Sequence, residues 1–106
     1  MLAGRPRIEA ADADRLCYTR QVILEGLRLY PPAWFVGRTP LEDVRLGDYT
    51  IRKGATVLLN QYVSHRDGRF FDQPERFHPE RWTEEFEHRL PRGAFFPFSA
   101  GDSHCI

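Results

Sequence analysis

Glu25 and Arg28 stand three residues apart in the stretch from Leu24 to Tyr30. Helical spacing of three puts a carboxylate and a guanidinium on one face. On an open surface such a pair contributes only about a few tenths of a kcal/mol. Leu24, Leu27, Leu29 and Tyr30 bring apolar groups close to it, which makes burial a real alternative. A buried carboxylate needs more than one donor, so a second arginine should come from elsewhere. Arg81 is the candidate, in Phe77-His78-Pro79-Glu80-Arg81-Trp82, where Pro79 restricts the backbone and Trp82 is a large anchor. An earlier look-alike, Pro74-Glu75-Arg76-Phe77, competes with it.

Cys105 lies behind aromatic residues and a glycine, in the loop from Phe98 to Cys105. Its thiol has three readings. It is an inert side chain, or a zinc ligand, or a thiolate ligand to haem iron. Zinc would need three partners from His65, His78, His88, His104 and Cys17, which lack the short paired spacings of structural zinc sites. Haem ligation needs one sulfur, an apolar wall and backbone N–H groups aimed at that sulfur, and this loop offers all of them. His65-Arg66-Asp67 has the look of a phosphoryl-transfer loop, but Asp72 stands where such a loop requires asparagine, and no glycine-rich loop accompanies it.

The elements that must position these groups are short. Asp14 is the expected cap of a helix from Arg15 to Leu29, with Leu16, Ile23, Leu27 and Tyr30 at helical spacing and Pro31-Pro32 as the stop. Trp34 to Val36 reads as a strand, Val44–Leu46 and Tyr49–Ile51 as a hairpin around Gly47-Asp48, and Thr56–Leu59 as a further strand. From Gln61 to Pro97 periodicity fails, apart from one short helix expected over Thr83–His88.

The 106 residues amount to one domain or a piece of one, and eight Gly with eight Pro leave little room for long elements. Fifteen cationic residues balance fifteen acidic ones, so there is no basic footprint for nucleic acid. No apolar run approaches the roughly 20 residues of a membrane span, and no secretory leader is visible. Two distant cysteines make no disulfide framework, so a cytoplasmic setting is expected.

Three motifs, in order, resemble the C-terminal part of a cytochrome P-450, the haem-thiolate monooxygenase family. Glu25-Gly26-Leu27-Arg28, followed by Leu29-Tyr30-Pro31-Pro32, resembles the family's E-x-x-R on its K helix. Phe77-His78-Pro79-Glu80-Arg81-Trp82 resembles its meander motif, and Phe98 to Cys105 resembles its haem-binding loop. The resemblance implies an α+β fragment of the mainly-α cytochrome P-450 fold: one K-type helix, short β-hairpin strands, a long irregular meander and a haem-binding loop. Residues 1–106 would be a partial domain, truncated at both ends.

It further implies that Cys105 is the axial thiolate of haem b, with Phe98 beside its sulfur and Gly101 letting the loop pass close to the porphyrin. Arg38 would meet a haem propionate, and Ser103 stands where the family usually places Arg or His for the same purpose. Glu25, Arg28 and Arg81 would form a structural cluster, and Ala33, Trp34, Phe35 and Val36 would line the substrate pocket. The family's activity is oxygen insertion into a lipophilic substrate, with electrons from a ferredoxin or flavoprotein reductase. Nothing in the chain resembles the family's oxygen-handling I helix, so the isolated fragment is expected to be inactive. A non-catalytic remnant of the family is the alternative, and a Cys/His metal-binding module a distant third.

Overall fold

The computed structural model describes residues 9–103. Helix α1 runs Cys17–Leu29, and a 3-10 turn, Ala10–Arg15, precedes it. Asp14 therefore does not cap α1. It lies inside the 3-10 turn, where the backbone cannot take the extended shape an N-cap requires, and Leu16 separates the two elements with no side-chain cap. The Glu9–Asp12 capping box closes the turn's own N-terminus. At the far end Tyr30 closes α1 through its N–H to the Gly26 carbonyl, and the two prolines prevent continuation.

Strand β1, Phe35–Arg38, pairs antiparallel with β4, Val57–Asn60, in the register Phe35↔Asn60 to Arg38↔Val57. Both strands lie displaced toward the C-terminus from their expected positions, because the pairing partners, not the apolar runs, set their ends. Strands β2, Val44–Leu46, and β3, Tyr49–Ile51, form the expected hairpin, with Gly47 at φ +60 in the turn. The irregular region is better ordered than its sequence suggests. A one-turn helix α2, Gln61–Ser64, is capped by the Asn60 side chain, which accepts the Val63 N–H at 3.1 Å. A 3-10 turn spans Pro79–Arg81, and helix α3, Glu84–Arg89, is capped by Thr83. A last 3-10 turn covers Gly101–Ser103.

The chain is elongated, 60 × 29 × 21 Å, and its core is small. Among the described residues Leu29, Phe71, Trp82 and Ala94 are buried, with Pro31 and Pro79, and Glu25, Arg28, Gln61 and His65 are fully buried among them. Helix α1 keeps part of the expected stripe, with Leu16 and Leu27 partly covered. Ile23 and Tyr30, read as parts of its apolar stripe, are exposed, while the face carrying Glu25 and Arg28 packs inward. Among the described residues no helix is long and apolar enough to cross a membrane.

Candidate functional site, a buried ion cluster and the loop it faces

Glu25 projects from the buried face of α1, and each of its oxygens is met by donors from distant parts of the chain. Oε1 accepts from Arg28 at 2.8 Å, from the His78 N–H at 2.9 Å and from Arg81 Nε at 3.1 Å. Oε2 accepts from Arg28 Nε and from the Trp82 indole N–H, both at 2.9 Å. Burial pushes the carboxyl upward, but hydrogen bonds from Arg28, the His78 backbone and Trp82, with the Arg28 charge, hold it below the ordinary carboxylate value. The group is ionised and saturated.

Arg28 is equally complete. Beyond its two bonds to Glu25, it donates to the carbonyls of His65 at 2.9 Å, Pro74 at 2.7 Å and Arg76 at 3.1 Å. Every N–H of the guanidinium therefore has an acceptor, which is the condition for burying a cation without a large penalty. Arg81 adds a bond to the Asp72 carbonyl at 2.6 Å, and Gln73 beside it takes a left-handed φ of 45. The rival Arg76 contributes its carbonyl to the cluster, while its own guanidinium turns to Gln73. Sequence reasoning correctly gathers Glu25, Arg28 and Arg81, but misses Trp82 as a donor and the part played by backbone groups.

Packed against the cluster is a ring of aromatics. Trp82 lies 4.6 Å from Phe95 and 5.6 Å from Phe86 between ring centroids, and Phe71 lies 6.0 Å from Phe86. His65 extends this ring, 5.0 Å from Phe95 and 5.4 Å from Phe96. Its Nε2 accepts the Phe96 N–H at 2.9 Å, so the neutral ring carries its proton on Nδ1. Burial above all brings its pKa down from 6.5 to about 4, aided by the charges of Arg28 and Arg66 and opposed by the Arg28 and Leu27 backbone. Gln61, on the same short helix, donates to the Phe96 carbonyl at 2.5 Å. Neither side chain stood out in the sequence as a partner of this loop. In the sequence His65 is visible as a candidate zinc ligand and, separately, in a triplet that looks like a phosphoryl-transfer loop.

Beyond Phe96 the chain turns through Ser99, whose N–H returns to the Phe96 carbonyl at 3.1 Å. Ser99 and Gly101 both take left-handed backbone, at φ 70 and φ 79. Phe98 is half exposed. Arg38 reaches across from β1 and donates to the Ser99 hydroxyl at 3.0 Å. Ser103 closes the final 3-10 turn, and Cys105 and His104 lie outside the described residues. Ala33, Trp34 and Phe35 are exposed at the start of β1, with Val36 partly covered. Among the described residues no group of three His, Cys, Asp or Glu side chains is gathered to hold a metal ion.

Comparison with known proteins places this geometry. The family model described as Cytochrome P450 matches residues 1–106. The chain is 43% identical over its whole length to cyclooctatin synthase of Streptomyces melanosporofaciens. It is 42% identical to cyclooctat-9-en-7-ol 5-monooxygenase of the same organism. In both cases it spans 23% of the relative's length. Among solved structures it superposes with a TM-score of 0.86 and 30% identity on a cyanobacterial cytochrome P-450 with retinoic acid bound, CYP120A1, covering 96% of this chain and 24% of that one. A second, CYP102L1, gives a TM-score of 0.82 at 29% identity, over 94% of this chain and 23% of that one. With the Glu-Arg-Arg cluster formed and the meander in place, the chain belongs to the cytochrome P-450 family.

Proposed function

We propose that this chain supplies the cysteine-bearing side of a haem-dependent monooxygenase that hydroxylates a lipophilic substrate. The observation that carries the reading is the bond from Arg38 on β1 to Ser99. It sets an exposed guanidinium beside the loop that leads to Cys105, where an anionic propionate would find it. The residues present fit haem b. Gly101 turns with a backbone that disfavours a side chain, Phe98 offers an exposed aromatic face, and Arg38 supplies a cation. Cys105 would hold the iron, and Ser103 would offer one neutral hydrogen bond where a cation is usual. Bound there, haem supplies oxygen activation, with the thiolate favouring O–O cleavage.

The chain's own residues would do the rest. Glu25, Arg28 and Arg81 keep the meander rigid behind the loop. Trp34 and Phe35 present apolar surface suited to a lipophilic substrate, and one relative acts, by its name, on cyclooctat-9-en-7-ol. Electrons would come from a ferredoxin or a flavoprotein reductase. A cytoplasmic location accords with this assignment.

Titrating the 106-residue chain with hemin, then reducing it under CO, tests the reading. The expected result is weak uptake by the isolated chain, with the red-shifted Soret band of thiolate ligation lost in Cys105→Ser and further weakened in Arg38→Ala. No uptake, or a Cys105→Ser spectrum identical to the parent's, would refute it; zinc at one equivalent would point to the metal-module alternative. Ser103→Arg should slow haem transfer to apomyoglobin about fivefold, since a charged hydrogen bond replaces a neutral one.

A further inference from the structure

We propose that Gln61 and His65 form a paired clamp on Phe96 that positions the entry to the loop carrying Cys105. Phe96 has one backbone donor and one backbone acceptor, and both are taken by side chains of a single helical turn. Gln61 Nε2 donates to its carbonyl at 2.5 Å, and its N–H donates to His65 Nε2 at 2.9 Å. Gln61 and His65 are four apart, so α2 and its C-cap present them on one face, and both are fully buried. A residue held at both polar atoms loses the freedom of its two backbone angles, much as in a strand ladder.

The consequence lies downstream. The Phe96 carbonyl also accepts the Ser99 N–H at 3.1 Å, so the clamp fixes one end of the turn that sets Phe98 and Ser99. Upstream, Arg28 donates to the His65 carbonyl at 2.9 Å. Glu25, Arg28, His65 and Phe96 thus form one continuous chain of hydrogen bonds from the ion cluster to the loop.

The Phe96 N–H is donated to a side chain rather than to a backbone carbonyl, which ties its position to His65. Among the described residues Gln61 Oε1 is buried without a well-aligned hydrogen-bond partner, while His65 also lies against the backbone of Leu27 and Arg28. Apolar side chains at 61 and 65 would leave the part-buried Phe96 N–H without its acceptor, which is unfavourable. Two polar side chains persist at this spot because each aims its other end at Phe96. They are positioning residues: both act through Phe96, and their role rests on the haem reading of Cys105.

Amide exchange by NMR, with hemin titration alongside, tests the clamp on the 106-residue chain. Gln61→Met is nearly isosteric and removes both the donor and the unmatched oxygen, so it should fold. It should speed exchange at Phe96 and Ser99 about fivefold, the factor for one net hydrogen bond, and leave His78 and Trp82 unchanged. His65→Leu should do the same, and His65→Gln, which restores an acceptor at similar reach, should recover protection. In the reduced, CO-bound state Gln61→Met should lower the share of the thiolate-type Soret band. Parental exchange at Phe96 in both Gln61→Met and His65→Leu would overturn the clamp, as would a uniform rise that includes His78. Faster exchange with an unchanged spectrum would overturn its link to Cys105. Absence of hemin uptake by the unmodified chain would instead defeat the haem assignment, and the exchange pattern would still decide the clamp.

Discussion

Around Glu25 a carboxylate and two guanidinium groups lie away from solvent with their bonds matched, whereas along the strands Leu46, Tyr49 and Leu58 stand exposed. The two regions reverse the usual assignment of charged residues to the outside and apolar ones to the core. The difference teaches that burial here follows the supply of partners. Arg28 finds an acceptor for every N–H, two on Glu25 and three on the carbonyls of His65, Pro74 and Arg76. The two-stranded ribbons of β1–β4 and β2–β3 are too narrow to cover their own faces.

The contrast breaks most sharply at Glu25. Glu25→Gln leaves two cations in the interior without their counter-charge, and stability measured by urea unfolding should fall by about 3–5 kcal/mol. Leu46→Ser, on the open hairpin, should stay within about 0.5 kcal/mol of the parent. Equal losses from the two substitutions would remove the distinction between the regions.

Acid is the next largest perturbation. With a folded pKa of about 4 against 6.5, His65 stays neutral in the fold while the unfolded chain takes up a proton. Between those values the unfolded state binds more protons, so stability rises with pH and is lost as pH falls from 6.5 toward 4. The full loss is about 3 kcal/mol. Glu25, held below its ordinary value, adds a further loss at lower pH, as its carboxylate finally protonates. Urea midpoints across pH 4 to 7 should show the slope, and His65→Gln should flatten the upper part of it.

Within the cluster, the smallest expected loss concerns one donor. Trp82→Phe keeps an aromatic ring beside Phe95 but removes the indole N–H from Glu25 Oε2. A loss of about 1.5–3 kcal/mol should follow, the range for a hydrogen bond to a charged group. A change near zero would mean that four remaining donors suffice and that the cluster is over-supplied.

Much of the arrangement was legible before the fold. The hairpin at Gly47, the stop at Pro31-Pro32 and the pairing of Glu25 with Arg28 all depend on neighbours within a few residues, where spacing and turn chemistry decide the outcome. The placement of Arg81 beside Glu25 was also foreseen, since a buried carboxylate needs a second donor and the meander held a suitable arginine. The start of α1 was misplaced because Asp14, a good capping residue by type, was drawn into a preceding turn closed by Glu9 and Asp12.

By itself, then, the sequence determined the order of the motifs, the family they belong to and the short-range elements that carry them, because these follow from residue type and local spacing. Only the tertiary structure decided which face of α1 turns inward, that the His78 N–H and the Trp82 indole complete the Glu25 shell, and that Gln61 and His65 grip Phe96. Those contacts join residues 53, 57, 35 and 31 positions apart. No local periodicity encodes a meeting at that distance. It arises when buried donors and acceptors must be matched all at once, in one packing of the whole chain.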